Sequence, residues 1–340
     1  MLGFGRKQNR SKGPSDFPVW ILGRDYAQPG DRYIQKVGDR LAGGISAGSK
    51  KCVRGKDEGN EDALGALLVD SGRVLLLADS HFGRFAAEHA LDRFDASFKS
   101  QEGDLEERLF KTVLHLDSLV RSGKQNHASP VAPNCAATLI CVCASETAMA
   151  WCSIGDSSLW HIRRGQVSLQ NEKTQNFLGD YQPLAEPLRR QLDAWGWIDP
   201  TLTEPELAEW YWAISNLNRA VRGLDRDRVP VDRATAMLKK MMPQHVRVEE
   251  GPLLEPWQPL HLLAQAVLPE WGTRSLAPGD RLFLASDGVD EPVSQTSLEV
   301  LLEQVARKET PPEETVATAL DLCHGRRGGD DNLCCWVLDA

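Results

Sequence analysis

Five short stretches hold the residues that could do chemistry: GNED at 59–62, LLLADSHFG at 75–83, SIGDSS at 153–158, LFLASDG at 282–288 and GGDDN at 328–332. Each sets an aspartate where an apolar run meets turn residues. One aspartate in such a place is an ordinary turn former. Five, each abutting strongly apolar strands, are harder to dismiss. If these strand ends converge, the carboxylates repel one another and lose hydration, and a cation is the usual remedy. Oxygen-only ligands select hard ions such as Mg2+ or Mn2+ over zinc. Two such ions about 4 Å apart can bridge a water, lower its pKa and aim it at phosphorus. The residues alone therefore reach a carboxylate-held, binuclear hydrolytic centre, on the condition that the ends meet.

The elements that must position those ends are legible from periodicity. ALGALLV and RVLLLAD, joined by DSG, read as a hairpin. A helix follows from about Arg84, with Ala87, Leu91, Phe94 and Phe98 on one face; a second over 105–121 aligns Leu109, Val113, Leu116 and Val120. ATLICVCA, TAMAWCSIG and SLWHIRRGQVSL are short strands, with RRGQ as a hairpin turn. VWILGRDY near the N-terminus reads as an added strand or arm. Late strands are expected at 260–267 and in DRLFLASDG, then a helix marked by Leu298, Leu301, Leu302 and Val305. In TPPEETVATALDLC, Thr310 reads as the N-cap of a last helix and Glu313 as its capping-box partner. NLCCWVLD is a terminal strand. Helices occur in pairs between blocks of strands, which argues for α+β layering with antiparallel sheets rather than a doubly wound parallel sheet.

Residues 170–256 break this rhythm. They hold Trp195, Trp197, Trp210 and Trp212, with helices expected from Glu204 to about Ala220 and over 231–242. The bland account is a small helical outgrowth with its own aromatic core; the alternatives are a gate for substrate or a docking place for a partner. The totals exclude other classes. With 340 residues, 41% apolar, 26% charged and a net charge of −9, a broad nucleic-acid face is not expected. No apolar run approaches the roughly 18 residues of a membrane span. The first 15 residues are basic and polar without the apolar block of a secretion signal, so they read as a loose tail and the chain as cytoplasmic. The eight cysteines make no CxxC pair and read as small buried hydrophobes in a reducing compartment.

Taken in order, the motifs resemble those of the metal-dependent protein phosphatases, the type 2C serine/threonine phosphatase (PPM) family, over roughly residues 45–340. NEDA resembles the first acidic motif, ADSHFG the Asp-Gly-His-Gly turn, CAATLICV the small-residue strand, SIGDSSLW the Gly-Asp-Ser motif, PGDRLFLASDGVDE the family signature and DDNLCCWVL the final Asp-Asn and strand. The resemblance implies a four-layer α-β-β-α sandwich of two antiparallel sheets flanked by helices. It places a tail and arm at 1–40 and the phosphatase-like domain at 41–340, with 170–256 an enlarged flap. It implies two Mg2+ or Mn2+ ions and a third held more weakly. Their ligands would be Glu61, Asp62, Asp79, the Ser80 carbonyl, Asp287 and Asp331, with Asp156 on the third. The activity implied is hydrolysis of phosphoserine and phosphothreonine in a phosphoprotein by a metal-bridging water, assisted by Asp62 and Asp79, with His81 as general acid. No nucleic-acid or membrane partner is implied. The alternative is a catalytically weak or inactive relative that binds phosphoproteins or a partner through the flap.

Two departures from the family pattern stand out. The arginine expected four residues before Glu61 is Asp57. Lys56 and Arg54 are the substitutes for holding phosphate, although lysine lacks arginine's bidentate grip; Arg84, Arg326 and Arg327 are further candidates. The glycine expected after Asp79 is Ser80, which matters if the loop needs a glycine-only dihedral.

Overall fold

Alternation along single strands decides the architecture, seen in a computed structural model that describes residues 17–48, 59–126, 135–171, 173, 178, 212, 269–291, 295–325 and 331–340. The first strands are β1 (Val19–Leu22), β2 (Arg32–Val37), β3 (Leu41–Ser46), β4 (Ala63–Val69), β5 (Gly72–Ala78) and the short β6 (Ser80–His81). Helices α1 (Phe85–Ser100) and α2 (Leu105–Asn126) follow. Then come β7 (Ala136–Ala137), β8 (Leu139–Ala144), β9 (Ala148–Ile154), β10 (Ser158–Arg163) and β11 (Gln166–Leu169). The C-terminal part holds β12 (Glu270–Ser275), β13 (Arg281–Ala285), α3 (Asp287–Asp290), α4 (Gln295–Val305), α5 (Pro312–Gly325) and β14 (Leu333–Asp339).

Among the described residues twelve of the strands form two six-stranded antiparallel sheets, ordered β1-β4-β5-β8-β9-β12 and β11-β10-β13-β14-β3-β2, and β6 pairs with β7 in a two-stranded one. Successive residues of one strand enter different cores, as the pleat requires. In β8, Leu139, Cys141 and Cys143 face α1 and α2, while Ile140, Val142 and Ala144 face the second sheet. In β14, Cys334, Trp336 and Leu338 face the first sheet, while Leu333, Cys335 and Val337 face α4 and α5. Three apolar layers thus separate four structural ones, the α-β-β-α order. Both sheet interiors are buried on two sides, which explains why these strands read as nearly continuous apolar runs. The seven cysteines among the described residues are all buried.

Trp336 clamps the two sheets together. It is fully buried, and its indole Nε1 donates to the Leu76 carbonyl of β5 at 2.9 Å. Gly43 on β3 makes the room: a Cβ there would lie 2.5 Å from the Trp336 ring. Arg281 pins the far end. Completely buried, it pairs with Asp339 and donates to the carbonyls of Val305, Arg307 and Thr310, tying β13 to β14, α4 and the start of α5. A buried arginine is tolerated because its donors are satisfied.

Three local expectations need correction or extension. VWIL is a true strand, paired antiparallel to β4 at the edge of the first sheet, and RYIQKV edges the second, so residues 19–37 belong to the sheets. The last helix begins at Pro312, not at a Thr310 cap; Glu313 reaches Lys36 on β2 at 2.8 Å instead of closing a capping box. The strand expected at 260–267 lies outside the described residues, whereas EWGTRS forms β12 against β9. Most of 170–256, including both helices expected there, also lies outside them. Two of its residues do not: Leu178 exchanges backbone hydrogen bonds with Ala137, and Trp212 is buried with its ring 5.3 Å from Phe110 of α2 and 4.6 Å from Trp271 of β12. Trp212 therefore packs into the main core rather than a separate one. No described helix is long and apolar enough to cross a membrane.

Trp212→Ala should lower stability in urea unfolding by about 3–5 kcal/mol, the usual cost of removing a buried Trp.

Candidate functional site

Strand register carries the acidic stretches to one end of the sandwich. Ala63 at the start of β4 pairs with Ala78 at the end of β5, so Asp62 and Asp79 flank the same rung. Leu139 at the start of β8 pairs with Ile154 at the end of β9, two residues before Asp156. In the second sheet, Ala285 at the end of β13 pairs with both Ser158 and Cys335, which brings Asp287 and Asp331 to that end as well.

Asn332 joins the two sheets there. Its Oδ1 accepts from the Glu61 N–H at 3.0 Å, and its Nδ2 donates to the Gly59 carbonyl at 2.9 Å and the Ala47 carbonyl at 3.4 Å. A buried side-chain amide is using both of its ends to fix the backbone that presents Glu61 and Asp62. Gly288 allows the matching approach on the other side: a Cβ would lie 2.1 Å from the Asn332 carbonyl and 3.1 Å from the Asp331 Cβ. Thr138 completes the frame. Its N–H donates to the Asp79 carbonyl at 2.8 Å, and its hydroxyl accepts from the Asp79 N–H at 3.3 Å and meets Ser157 Oγ at 2.7 Å. Asp79 and the Asp156 loop are thereby held together.

The resulting end is acidic and sheltered. Glu61, Asp62 and Asp79 are each at most 1% exposed. Burial first, and then the Asp79 charge, push the Asp156 carboxyl above its ordinary range. Burial, with Asp62 and Asp79 nearby, pushes the Cys334 thiol well up. Carboxylate oxygens of Asp156, Asp287 and Glu291 lie within 4.8 Å of one another. The Asp156 Oδ1 is buried with no hydrogen-bond partner among the described residues. This all-oxygen donor set, with a buried unpartnered acceptor on Asp156, fits a hard divalent cation. Sequence reading missed Glu291. Its signal was the spacing: it sits four residues after Asp287, and its N–H donates to the Asp287 carbonyl at 2.6 Å across α3. The neighbouring Asp290 is buried and paired with Lys173 at 2.9 Å.

His81 lies beside this end, its Nδ1 3.4 Å from Asp79 Oδ1, with its side chain 25% exposed. Ser80 occupies extended backbone in β6, paired with Ala137, so no glycine-only dihedral is needed there. Positive φ falls two residues later, at Phe82 (59°) and Gly83 (111°). The Ser80 hydroxyl serves the turn, 2.8 Å from the Gly83 carbonyl and 3.1 Å from that of Ala136. Arg84 lies 3.5 Å from Glu88, one helical turn along α1. Arg54, Lys56, Asp57, Arg326 and Arg327 lie outside the described residues.

No protein-family model matches the sequence, and no curated protein matches it either. Solved structures do match. A bacterial serine phosphatase superposes with a TM-score of 0.52 at 15% identity, covering 88% of this chain and 96% of that one. The serine/threonine phosphatase Stp1 from Staphylococcus aureus gives 0.51 at 14% identity, covering 98% and 99%. The chain has the fold of these serine phosphatases. The four-layer sandwich implied by the motif resemblance is therefore the observed one, and the likeness runs nearly end to end in both partners.

The acidic end makes a metal-free prediction. Asp156→Asn removes one charge from the cluster and should raise the melting temperature in EDTA, while shrinking the increase that Mn2+ produces. For the unaltered protein, Mn2+ at a hundredfold excess over its Kd should stabilise by about 2.7 kcal/mol. Thermal unfolding with and without EDTA reads both.

Proposed function

We propose that the chain is a metal-dependent phosphatase that hydrolyses phosphoserine and phosphothreonine in proteins. The observation that carries this reading is the gathering of Asp156, Asp287 and Glu291 oxygens within 4.8 Å, at the strand ends that also carry Asp62, Asp79 and His81, on a fold shared with serine phosphatases.

In this reading Asp62, Asp79, Asp287 and Asp331, with Glu61 and the Ser80 carbonyl, would hold two Mg2+ or Mn2+ ions, and Asp156 with Glu291 would serve a third. Bound there, such ions neutralise the carboxylates, draw charge from the phosphoryl oxygens and lower the pKa of a water. The remaining work belongs to the chain. Asp79 orients the imidazole of His81 through Nδ1, the arrangement that fixes a tautomer and stabilises the charged ring. His81 is part-exposed beside buried acids, so it can face a substrate that enters from solvent. As the phosphorus–oxygen bond breaks, His81 gives its proton to the departing seryl or threonyl oxygen, a poor leaving group without it. Lys56 and Arg54 are the proposed holders of the phosphate. The substrate is a phosphoprotein, and residues 170–256 are the proposed place for a partner or substrate to dock.

Hydrolysis of para-nitrophenyl phosphate with millimolar Mn2+ tests the reading. Activity should vanish in EDTA and fall more than about 100-fold in Asp287→Ala. No turnover in the unaltered protein would favour the alternative, a binding protein built on a phosphatase fold. His81→Asn separates the role of the acid: it should slow phosphoserine-peptide hydrolysis by about 100-fold or more. It should slow para-nitrophenyl phosphate much less, because nitrophenolate leaves without a proton.

A further inference from the structure

Phe82 combines properties that chain physics sets against one another. Its φ of 59° lies in the left-handed region, which a residue bearing a Cβ disfavours. The residue is 47% exposed, so burial does little to offset that strain. The other non-glycine residue with positive φ among those described, Arg164, sits in the β10–β11 hairpin turn, where such a dihedral is ordinary. Phe82 has no such excuse, because it lies between β6 and α1.

Buried contacts impose the conformation. The Gly83 carbonyl is 2.8 Å from the Ser80 hydroxyl and 2.5 Å from the Cys135 thiol. Cys135 is itself fixed by the Ala86 N–H at 3.1 Å, and β6 is held by β7. The turn is thus set from inside the core, and the Phe82 side chain is turned outward beside His81, ring centroids 6.5 Å apart and planes at 77°. A strained residue persists where its surroundings over-determine it, and such residues gather at functional sites. An exposed aromatic ring offers apolar area to whatever arrives beside it.

Resting on the phosphatase reading above, we propose that Phe82 is a specificity-determining residue. Its ring is the surface on which an apolar or aromatic side chain flanking the phosphorylated serine or threonine rests. The chain therefore selects phosphoproteins whose phosphosite has a large apolar neighbour.

Two fluorescent peptides test this, each carrying an uncleavable phosphonate analogue of phosphoserine, one flanked by leucines and the other by alanines. Fluorescence polarisation with Mn2+ present gives the two Kd values. The unaltered protein should bind the leucine-flanked peptide about tenfold more tightly, the scale set by burying large apolar side chains. Phe82→Gly should bring the ratio close to one while raising the melting temperature, because glycine accepts the positive φ; that rise also shows the variant folds. Phe82→Leu should keep most of the ratio. A ratio near one in the unaltered protein, or an unchanged ratio in Phe82→Gly, overturns the proposal. Hydrolysis of the matching phosphoserine peptides is scored separately: no hydrolysis with a Phe82-dependent Kd ratio sinks the phosphatase reading and leaves the contact standing.

Discussion

Mutual repulsion among sheltered carboxylates is the constraint on which the rest of this structure depends. Glu61, Asp62 and Asp79 are almost completely buried, and the half-buried Asp156 and Asp287 crowd with the exposed Glu291 within 4.8 Å. Left to themselves, such groups would push the strand ends apart or take up protons. Asp156 shows the second tendency, its carboxyl pushed up by burial and by Asp79. The sandwich opposes the first by building each acid on a strand whose other residues are committed to two cores at once. Moving one acid away would shift an entire strand, and with it both apolar layers.

The same constraint explains the uncharged residues around the cluster. Asn332 ties the Glu61 backbone to the second sheet, and Thr138 ties Asp79 to the Asp156 loop. Gly288 permits backbone contact that any side chain would prevent. Trp336 locks the sheets a few residues further in, through the Leu76 carbonyl. None of these residues carries charge, yet each limits how far the carboxylates can relax. An acidic end held under that restraint fits the cation proposed for it, because its carboxylates are already assembled by folding.

Much of this was legible in the sequence, for identifiable reasons. Short apolar runs ending in Asp gave the strands and the acidic end, because a strand buried on both faces has little freedom in composition. The family resemblance supplied the layering. What escaped was decided by contacts rather than by local pattern. Glu291 follows a motif rather than belonging to one, and only a helical turn carries it back to Asp287. EWGTRS lacks an apolar run, yet pairs with β9 as β12, where Gly272 opposite Trp151 leaves room for the indole ring. Glu313 fits a capping box by spacing, but Lys36 from a distant strand claims it. Trp212 looked like part of a separate aromatic core until Phe110 and Trp271 enclosed it. Ser80 was read as a departure in a glycine position; the dihedral that glycine would serve falls instead at Phe82 and Gly83.

The central claim is that this acidic end is a metal centre. Anomalous diffraction at the manganese edge, from crystals grown with excess Mn2+, tests it most directly. The account predicts two strong peaks among Asp62, Asp79, Asp287 and Asp331, and a weaker third between Asp156 and Glu291. Density confined to other acids, such as Asp280 at the far end, or none at the strand ends at saturating Mn2+, would contradict it.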